Sequence, residues 1–123
     1  MFSRVAPRGL RVLLVEDDEG VRRSLQLLLE WSGFEVRAHA RAASAIDAAA
    51  LSPVDLLVAD YLLEDCDGIE MLRTLRDAGW QGRAVLMTGH PSELLTEQAL
   101  VAGFYSVLEK PLARHALVAA LTD

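Results

Sequence analysis

The segment VLLVEDD, residues 12–18, is an unbroken apolar run that ends in three acidic side chains. Such a run is typical of a strand buried on both faces, as in a parallel sheet between two layers of helices. Three later apolar runs also lead to polar groups, namely Asp60, Thr88-Gly89 and Lys110-Pro111. Because the carboxyl ends of parallel strands share one edge of a sheet, these groups are expected to meet at one ligand-binding site.

Strand-like and helical patterns alternate along the chain. Strands are predicted at residues 10–15, 34–39, 56–59, 84–87 and 105–108. Helices are predicted at residues 19–31, 42–51, 69–77, 91–102 and 112–121. This alternation requires right-handed crossovers and a parallel sheet with helices on both faces. The expected fold is therefore α/β, a doubly wound five-stranded parallel sheet, (βα)5, with strand order 2-1-3-4-5 in a single domain.

Length and composition describe an ordinary globular protein. The 123 residues are 52% hydrophobic and 24% charged, so we expect one domain over residues 1–123, with residues 1–9 as a flexible N-terminal extension. Twelve basic against 18 acidic residues give a net charge of −6, which argues against a nucleic-acid partner. No apolar run is long enough to span a membrane, and the lone Cys66 excludes an internal disulfide. A cytoplasmic location without membrane partners is expected.

Three carboxylates are predicted to crowd together where two strands end. Glu16, Asp17 and Asp60 would repel one another strongly unless a cation neutralised them. Oxygen ligands with open coordination positions suit Mg²⁺, or Mn²⁺, and the sequence has no Cys/His pattern for zinc. Asp18 is expected to point away from the cluster. The alternative interpretation is a solvated acidic turn.

The order and spacing of Glu16-Asp17, Asp60, Thr88 and Lys110 resemble those of the receiver domains of two-component response regulators, and the resemblance covers essentially the whole chain. It implies a phosphoacceptor that takes a phosphoryl group from a sensor histidine kinase or a histidine phosphotransfer protein onto Asp60, with Mg²⁺. The domain would be an autocatalytic phosphoryl acceptor with slow autodephosphorylation, rather than an enzyme that turns over a substrate. Phosphorylation would switch a partner-binding surface on the last two helices.

The resemblance also implies which residues hold the metal. Asp17 and Asp60 would ligate the ion directly, and Glu16 would do so directly or through a water. The backbone carbonyl of Leu62 would complete the protein ligands. Asp60 would also be the nucleophile, because a carboxylate can accept a phosphoryl group to form an aspartyl phosphate.

Three further residues are expected to hold the phosphoryl oxygens. Lys110 would take one oxygen, while the Thr88 hydroxyl and the Gly89 amide would take another, since this chemistry mainly needs its charge balanced. A side chain larger than Ala at position 89 would obstruct the approach. In the resembled family the peptide bond before Pro111 is cis; a plain helix-start proline is the compatible alternative.

Several positions depart from the family pattern. Val107 stands where the family usually carries the Tyr or Phe that swings inward on activation, and Tyr105 is expected to be an ordinary rim or core residue. Leu62 and His90 occupy two positions that tune phosphate lifetime. Leu62 cannot orient a hydrolytic water, so a long-lived phosphate is expected. His90 either hydrogen-bonds near the phosphoryl group or caps the loop before Pro91.

The remaining notable residues have simpler interpretations. Leu94, Leu100 and Val101 give their helix more apolar surface than one buried stripe needs, which indicates a partner-binding face or a weak homodimer. Trp31 and Trp80, near helix ends, are predicted to be packing anchors.

One rival function stays open at this point, and a second is discounted. A phosphorylation-independent interaction module is favoured by Val107 and by the acids that follow Asp60, which are Glu64, Asp65 and Asp67 and are predicted to form a solvated loop. The intact carboxylates argue against it, as do Thr88 and Lys110. A metal-dependent phosphatase would need a general acid near Asp60, and Leu62 offers none. A stand-alone regulator and a receiver within a larger protein are both compatible with the sequence.

Overall fold

The computed structural model describes residues 9–123. Residues 1–8, most of the predicted N-terminal extension, lie outside the described residues. The strands are β1 (Arg11–Val15), β2 (Glu35–His39), β3 (Leu56–Asp60), β4 (Arg83–Thr88) and β5 (Ser106–Glu109). The helices are α1 (Glu19–Trp31), α2 (Ala42–Leu51), α3 (Gly68–Asp77), α4 (Glu93–Ala102) and α5 (Arg114–Thr122). Within the described residues, none of these helices is long and apolar enough to cross a membrane.

The strands form one parallel sheet in the order β2-β1-β3-β4-β5, which confirms the predicted fold. The sequence placed most element bounds within a residue or two. The last two helices begin later than predicted, because Ser92 and Ala113 are their N-cap residues. Pro91 and Pro111 therefore precede their helices, and the interpretation of Pro111 as a helix-start residue is wrong.

Both faces of the sheet are buried, which explains the unbroken apolar runs. Leu13 and Val15 of β1 face a core formed with α2, α3 and α4. Their neighbours Val12 and Leu14 face a second core formed with α1 and α5. The central strand β3 is buried along its whole length. The polar residues that end these strands therefore lie at a rim with apolar walls on both sides.

Side-chain caps fix where three of the helices start. Asp18 accepts from the Val21 amide at 2.9 Å at the start of α1, so it points away from the acidic cluster as expected. Asp67 and Ser92 accept at 2.8 and 3.0 Å from amides in the first turns of α3 and α4. Each bond satisfies one of the amides that a helix start leaves without an intrahelical partner.

The two tryptophans behave differently. Trp80 is a packing anchor. Its side chain packs against the core formed with α2, α3 and α4, and its indole N–H donates to the Val54 carbonyl at 2.8 Å. The same prediction for Trp31 is wrong, since that side chain is 80% exposed. Leu29 of α1 is buried, and a residue two positions further on lies about 200° around the helix, towards solvent.

An ion pair joins Arg11 of β1 to Asp55, the residue before β3, at the edge of the sheet opposite the polar rim. Asp55 accepts from the Arg11 amide at 2.8 Å and from its guanidinium at 3.3 Å, and these contacts lower the pKa of Asp55, with the backbone bond contributing most. A lowered pKa gives stability that is present above the ordinary value of 3.8 and is lost as the pH falls through the folded-state value. We expect Asp55→Asn to cost about 1 kcal/mol at pH 7 and almost nothing near pH 2 in urea unfolding. A constant difference across this range would contradict the assignment.

Candidate functional site

The predicted carboxylate cluster is assembled at the carboxyl end of the sheet. Glu16 follows β1 and Asp60 ends β3; one carboxylate oxygen of each, and one of Asp17, lie within 4.8 Å of one another. Glu16 and Asp60 are buried at 0% and 6% exposure, whereas Asp17 is exposed. Three oxygen donors beside an open side could hold a divalent cation that keeps some of its waters. The donor set fits Mg²⁺ or Mn²⁺.

Lys110 reaches into this cluster from the end of β5. Its ammonium donates to Glu16 Oε1 at 2.7 Å and to Asp60 Oδ2 at 3.0 Å. The Lys110 amide donates to the Thr88 carbonyl at 2.8 Å, which ties the lysine backbone to the end of β4. The bond between Lys110 and Pro111 is cis, as the resemblance implied. The lysine therefore lies between the two buried carboxylates.

The pKa values of Glu16 and Lys110 are both raised, but for different reasons. Burial raises the pKa of Glu16, although hydrogen bonds from Lys110 and from the Asp18 amide act in the opposite direction. Burial alone would lower the pKa of Lys110, but its bonds to Glu16 and Asp60 outweigh this and raise it. Lys110 is consequently a cation at neutral pH, and it offsets much of the cost of burying two carboxylates side by side.

Two residues that the sequence analysis did not single out hold the acidic segment in place. The Arg22 guanidinium donates to the carbonyls of Glu16 and Asp17 at 3.0 and 3.4 Å. The Glu16 amide donates to the His39 carbonyl at 3.0 Å. His39 is the last residue of β2, so its place at the rim could have been inferred from the strand order.

Thr88 and the two residues after it form the other side of the site. Thr88 ends β4 with 4% exposure, and its hydroxyl oxygen accepts from the His90 amide at 3.1 Å. Gly89 and His90 are exposed. A Cβ at Gly89 would meet no atom of residues 9–123 within 4 Å, so alanine would fit there. The His90 contact is made by its backbone, and the role of its side chain stays a prediction.

The loop from Asp60 to α3 is closed at its base by its own backbone. The Gly68 amide donates to the Tyr61 carbonyl at 2.8 Å, and Leu62 pairs with Asp67 in an isolated antiparallel bridge. The Leu62 side chain is 64% exposed and apolar, so only the backbone carbonyl of this residue can ligate a cation.

Glu64 and Asp65 are exposed, as predicted for a solvated loop, but all three acids of this loop also bind other parts of the chain. Asp65 accepts from the amides of Ala42 and Ala43 at the start of α2, at 3.0 and 2.9 Å. Glu64 pairs with a guanidinium at 3.3 Å, and Asp67 caps α3. These acids bind neighbouring parts of the chain, so their presence no longer favours an interaction module.

Gly68 has a steric role in this region that was not predicted from the sequence. A Cβ at Gly68 would lie 2.6 Å from the Asp60 carbonyl oxygen and 2.7 Å from Leu86 Cδ1. Only glycine lets α3 start this close to the strand that carries Asp60. The helix predicted at residues 69–77 left Gly68 out, although a glycine directly after an acidic cap residue was the available signal.

We expect Gly68→Ala to destabilise the protein by about 2 kcal/mol, because one of the two clashing atoms belongs to the backbone. Urea unfolding measures the effect. Gly20→Ala in α1 is the matched control, since its Cβ would come no closer than 3.4 Å to its nearest neighbour, a side-chain oxygen of Asp18. Equal stabilities for the two variants would refute the steric assignment.

Val107 and Tyr105 have clearly different surroundings. Val107 is half-buried and packs against the core that includes α4. Tyr105 is 50% exposed, and its ring centroid lies 3.8 Å from the guanidinium carbon of Arg83. The Tyr105 amide donates to the Ala84 carbonyl near the start of β4, the end away from Thr88. Tyr105 therefore lies at the periphery of the sheet, which is one of the two predicted places for it. It is at the end of the sheet opposite the acidic cluster, so it cannot replace an aromatic switch.

Helix α4 exposes three apolar side chains, as the sequence predicted, alongside the polar Glu93, Glu97 and Gln98. Leu94, Leu100 and Val101 are 65%, 49% and 82% exposed, while Leu95 and Ala99 pack into the core. Helix α4 thus has a buried stripe and a set of exposed apolar side chains. These three side chains, Leu94, Leu100 and Val101, are called here the exposed apolar face of α4, and proteins use such surfaces to bind partners.

Comparison with protein families and sequences agrees with this geometry. The model of the response regulator receiver domain family matches residues 12–122. The transcriptional regulatory protein FixJ of Azorhizobium caulinodans is 36% identical over 115 residues, which are 94% of this chain and 54% of that protein. The response regulator MprA of Mycobacterium avium is 34% identical over 110 residues, which are 89% and 48%. The chain spans about half the length of these relatives.

Solved structures show the same fold. The crystal structure of FixJ-N superposes with a TM-score of 0.83 at 32% identity, over 90% of this chain and 89% of that one. The chemotaxis protein CheY4 of Vibrio cholerae has a TM-score of 0.86 at 22% identity, over 91% and 95%, and supports the fold alone. Since the family match covers nearly all of the residues that form the sheet, the helices and the acidic rim, the chain belongs to the receiver domains of two-component response regulators.

Proposed function

We propose that this domain accepts a phosphoryl group on Asp60 from a sensor histidine kinase or a histidine phosphotransfer protein. The observation that carries the proposal is the Lys110 ammonium, which lies 3.0 Å from Asp60 and 2.7 Å from Glu16, beside the exposed Asp17. A buried carboxylate paired with one cation and open to solvent on one side is suited to attack an incoming phosphoryl group.

The transfer exchanges one bond to phosphorus for another. An oxygen of Asp60 forms a bond to phosphorus, and the bond from phosphorus to the donor's imidazole nitrogen breaks. The electron pair of that bond stays with the imidazole, which leaves as the neutral base after taking up a proton. Because such transfers need little covalent chemistry from the protein, the surrounding residues contribute mainly by orienting groups and balancing charge.

Glu16, Asp17, Asp60 and the Leu62 carbonyl would hold Mg²⁺, or Mn²⁺, in this proposal. The support is the set of carboxylate oxygens within 4.8 Å of one another, in a group of the described residues that contains neither His nor Cys. A bound divalent cation would supply positive charge to a phosphoryl oxygen and relieve the repulsion among the carboxylates.

Lys110, Thr88 and Gly89 would bind the other phosphoryl oxygens. The Thr88 hydroxyl accepts a hydrogen bond from His90, so its own proton remains able to donate. The exposed Gly89 amide would donate beside it. Leu62 and His90 would modulate the lifetime of the phosphate, and an apolar side chain at position 62 would slow hydrolysis because it cannot orient a water.

The output surface in this proposal is formed by α4, β5 and α5. New charge at the rim would shift the population between two arrangements of this surface. The exposed apolar face of α4 would bind a downstream protein partner or a second copy of the domain in a weak homodimer. The beryllofluoride-activated NtrC4 receiver domain, described as a dimer, has a TM-score of 0.83 with this chain at 25% identity. Val107 would transmit the change without a ring, through packing alone.

The domain boundaries and the location in the cell are part of the same proposal. Residues 1–123 would form one receiver domain, which acts alone or within a longer protein, as in relatives about twice its length. A sensor kinase delivers its phosphoryl group in the cytoplasm, so the domain would work there.

Intact mass after incubation with acetyl phosphate tests the proposal. With Mg²⁺ the protein should gain the mass of one phosphoryl group, and with a chelator in place of the metal it should gain none. Mn²⁺ should substitute for Mg²⁺. No gain under any of these conditions would favour the phosphorylation-independent interaction module, and a gain that does not depend on metal would contradict the proposed role of the carboxylates.

A further inference from the structure

Helix α2 begins without a cap from its own sequence. Its N-cap residue is Arg41, whose side chain makes no capping hydrogen bond, and the first turn has no acidic residue among the described residues. The first amides of a helix need acceptors, and the positive end of the helix dipole favours a negative charge. Asp65 provides both from a different part of the chain, because its two carboxylate oxygens accept from the Ala42 and Ala43 amides.

The same contact fastens the loop that follows Asp60. The base of this loop is closed by the Tyr61–Gly68 hydrogen bond and by the Leu62–Asp67 bridge. Asp65 lies in the part of the loop that these two contacts enclose, and its bonds to α2 hold this part of the loop in place. The amides of Ala43 and Ala42 lower the pKa of Asp65, in that order of contribution, so the carboxylate is charged at neutral pH.

We propose that Asp65 is a positioning residue for the phosphorylation site: by binding the start of α2, it fixes the loop that presents the Leu62 carbonyl beside Asp60. This role rests on the proposed function, since it assigns the backbone of that loop to the metal site. Outer residues that orient metal ligands commonly change metal affinity by roughly tenfold or more when they are removed.

The neighbouring ion pair does not carry this role. Glu64 and Arg41 lie 3.3 Å apart, but their side chains are 61% and 62% exposed. A solvated pair of long side chains constrains a backbone weakly. Asp65 is a shorter side chain that bonds two backbone amides, so it fixes one segment of backbone against another. Glu64→Gln should therefore leave metal binding unchanged.

Mg²⁺ titration by calorimetry, together with hydrogen exchange of the Ala42 and Ala43 amides, tests the proposal. Asp65→Ala should weaken Mg²⁺ binding roughly tenfold and speed exchange at both amides. Asp65→Asn keeps one acceptor oxygen and should give an intermediate loss. Ala48→Gly is the matched control, because it weakens the interior of α2 and leaves the cap intact. It should bind Mg²⁺ like the parent.

Two results would overturn the positioning role. One is parental Mg²⁺ affinity in Asp65→Ala with both amides exchanging faster, which would make the cap a purely structural contact. The other is equal weakening by Ala48→Gly, which would attribute the effect to the stability of α2. Failure of the parent protein itself to bind Mg²⁺ would overturn the proposed function and this role together, and is thereby distinguished from failure of Asp65 alone.

Discussion

Asp60→Asn should fold like the parent and take up no phosphoryl group from acetyl phosphate in the presence of Mg²⁺. The amide has the shape of the carboxylate but lacks the anionic oxygen that attacks phosphorus. Lys110 keeps its 2.7 Å bond to Glu16, so the substitution leaves the ammonium paired. Intact mass measures the uptake, and circular dichroism checks the fold. The expected outcome is complete loss, because Glu16, the other described carboxylate in contact with Lys110, is fully buried, whereas Asp60 retains 6% exposure.

Asp18→Asn is the matched control for this substitution. It removes one carboxylate from the same acidic segment, yet asparagine caps a helix about as well as aspartate, so the 2.9 Å bond at the start of α1 should persist. This variant should gain the phosphoryl group at the parental rate. Uptake by Asp60→Asn as fast as by the parent would assign the acceptor to another carboxylate, with Asp17 the first to examine.

The strands and the residues at their ends were readable from the sequence for a physical reason. A strand buried on both faces has to be apolar throughout, so the first polar residue after it marks the rim of the sheet. Asp60 and Thr88 could be located in this way because they end β3 and β4. Parallel pairing then brings residues far apart in the chain to one edge, as it does for Lys110 and Glu16.

The contacts that fix the site depend on tertiary structure, and the sequence pattern does not contain them. Asp65 bonds amides 22 and 23 residues away, and its own neighbours in the sequence predict only a polar loop. Gly68 is needed because the Asp60 carbonyl and Leu86 approach it; a glycine after a cap residue is a local signal, but it does not reveal these two contacts. Tyr105 is similar: its place beside Arg83 depends on the register of β5 against β4.

Lys110→Met should be the most destabilising of these substitutions at neutral pH without divalent metal, with a loss of about 3 kcal/mol in urea unfolding. The methionine keeps the apolar stem of the lysine but removes the charge that lies 2.7 Å from Glu16 and 3.0 Å from Asp60. Two buried carboxylates then face each other without the ammonium between them. The variant should also phosphorylate far more slowly, since one ligand for the phosphoryl oxygens is gone.

The dependence of this loss on pH and on metal separates the charge effect from a packing effect. Burial already raises the pKa of Glu16 above its ordinary 4.5, and a group with a raised folded-state pKa favours folding below that ordinary value and loses this contribution as the pH rises. The deficit of Lys110→Met should thus shrink between pH 7 and pH 5, and Mg²⁺ should restore part of the stability by mass action. In the double variant with Asp60→Asn, removal of one carboxylate should recover part of the loss. A deficit that is constant with pH, insensitive to Mg²⁺ and unchanged in the double variant would mean that the lysine stem, and not its charge, holds this rim together.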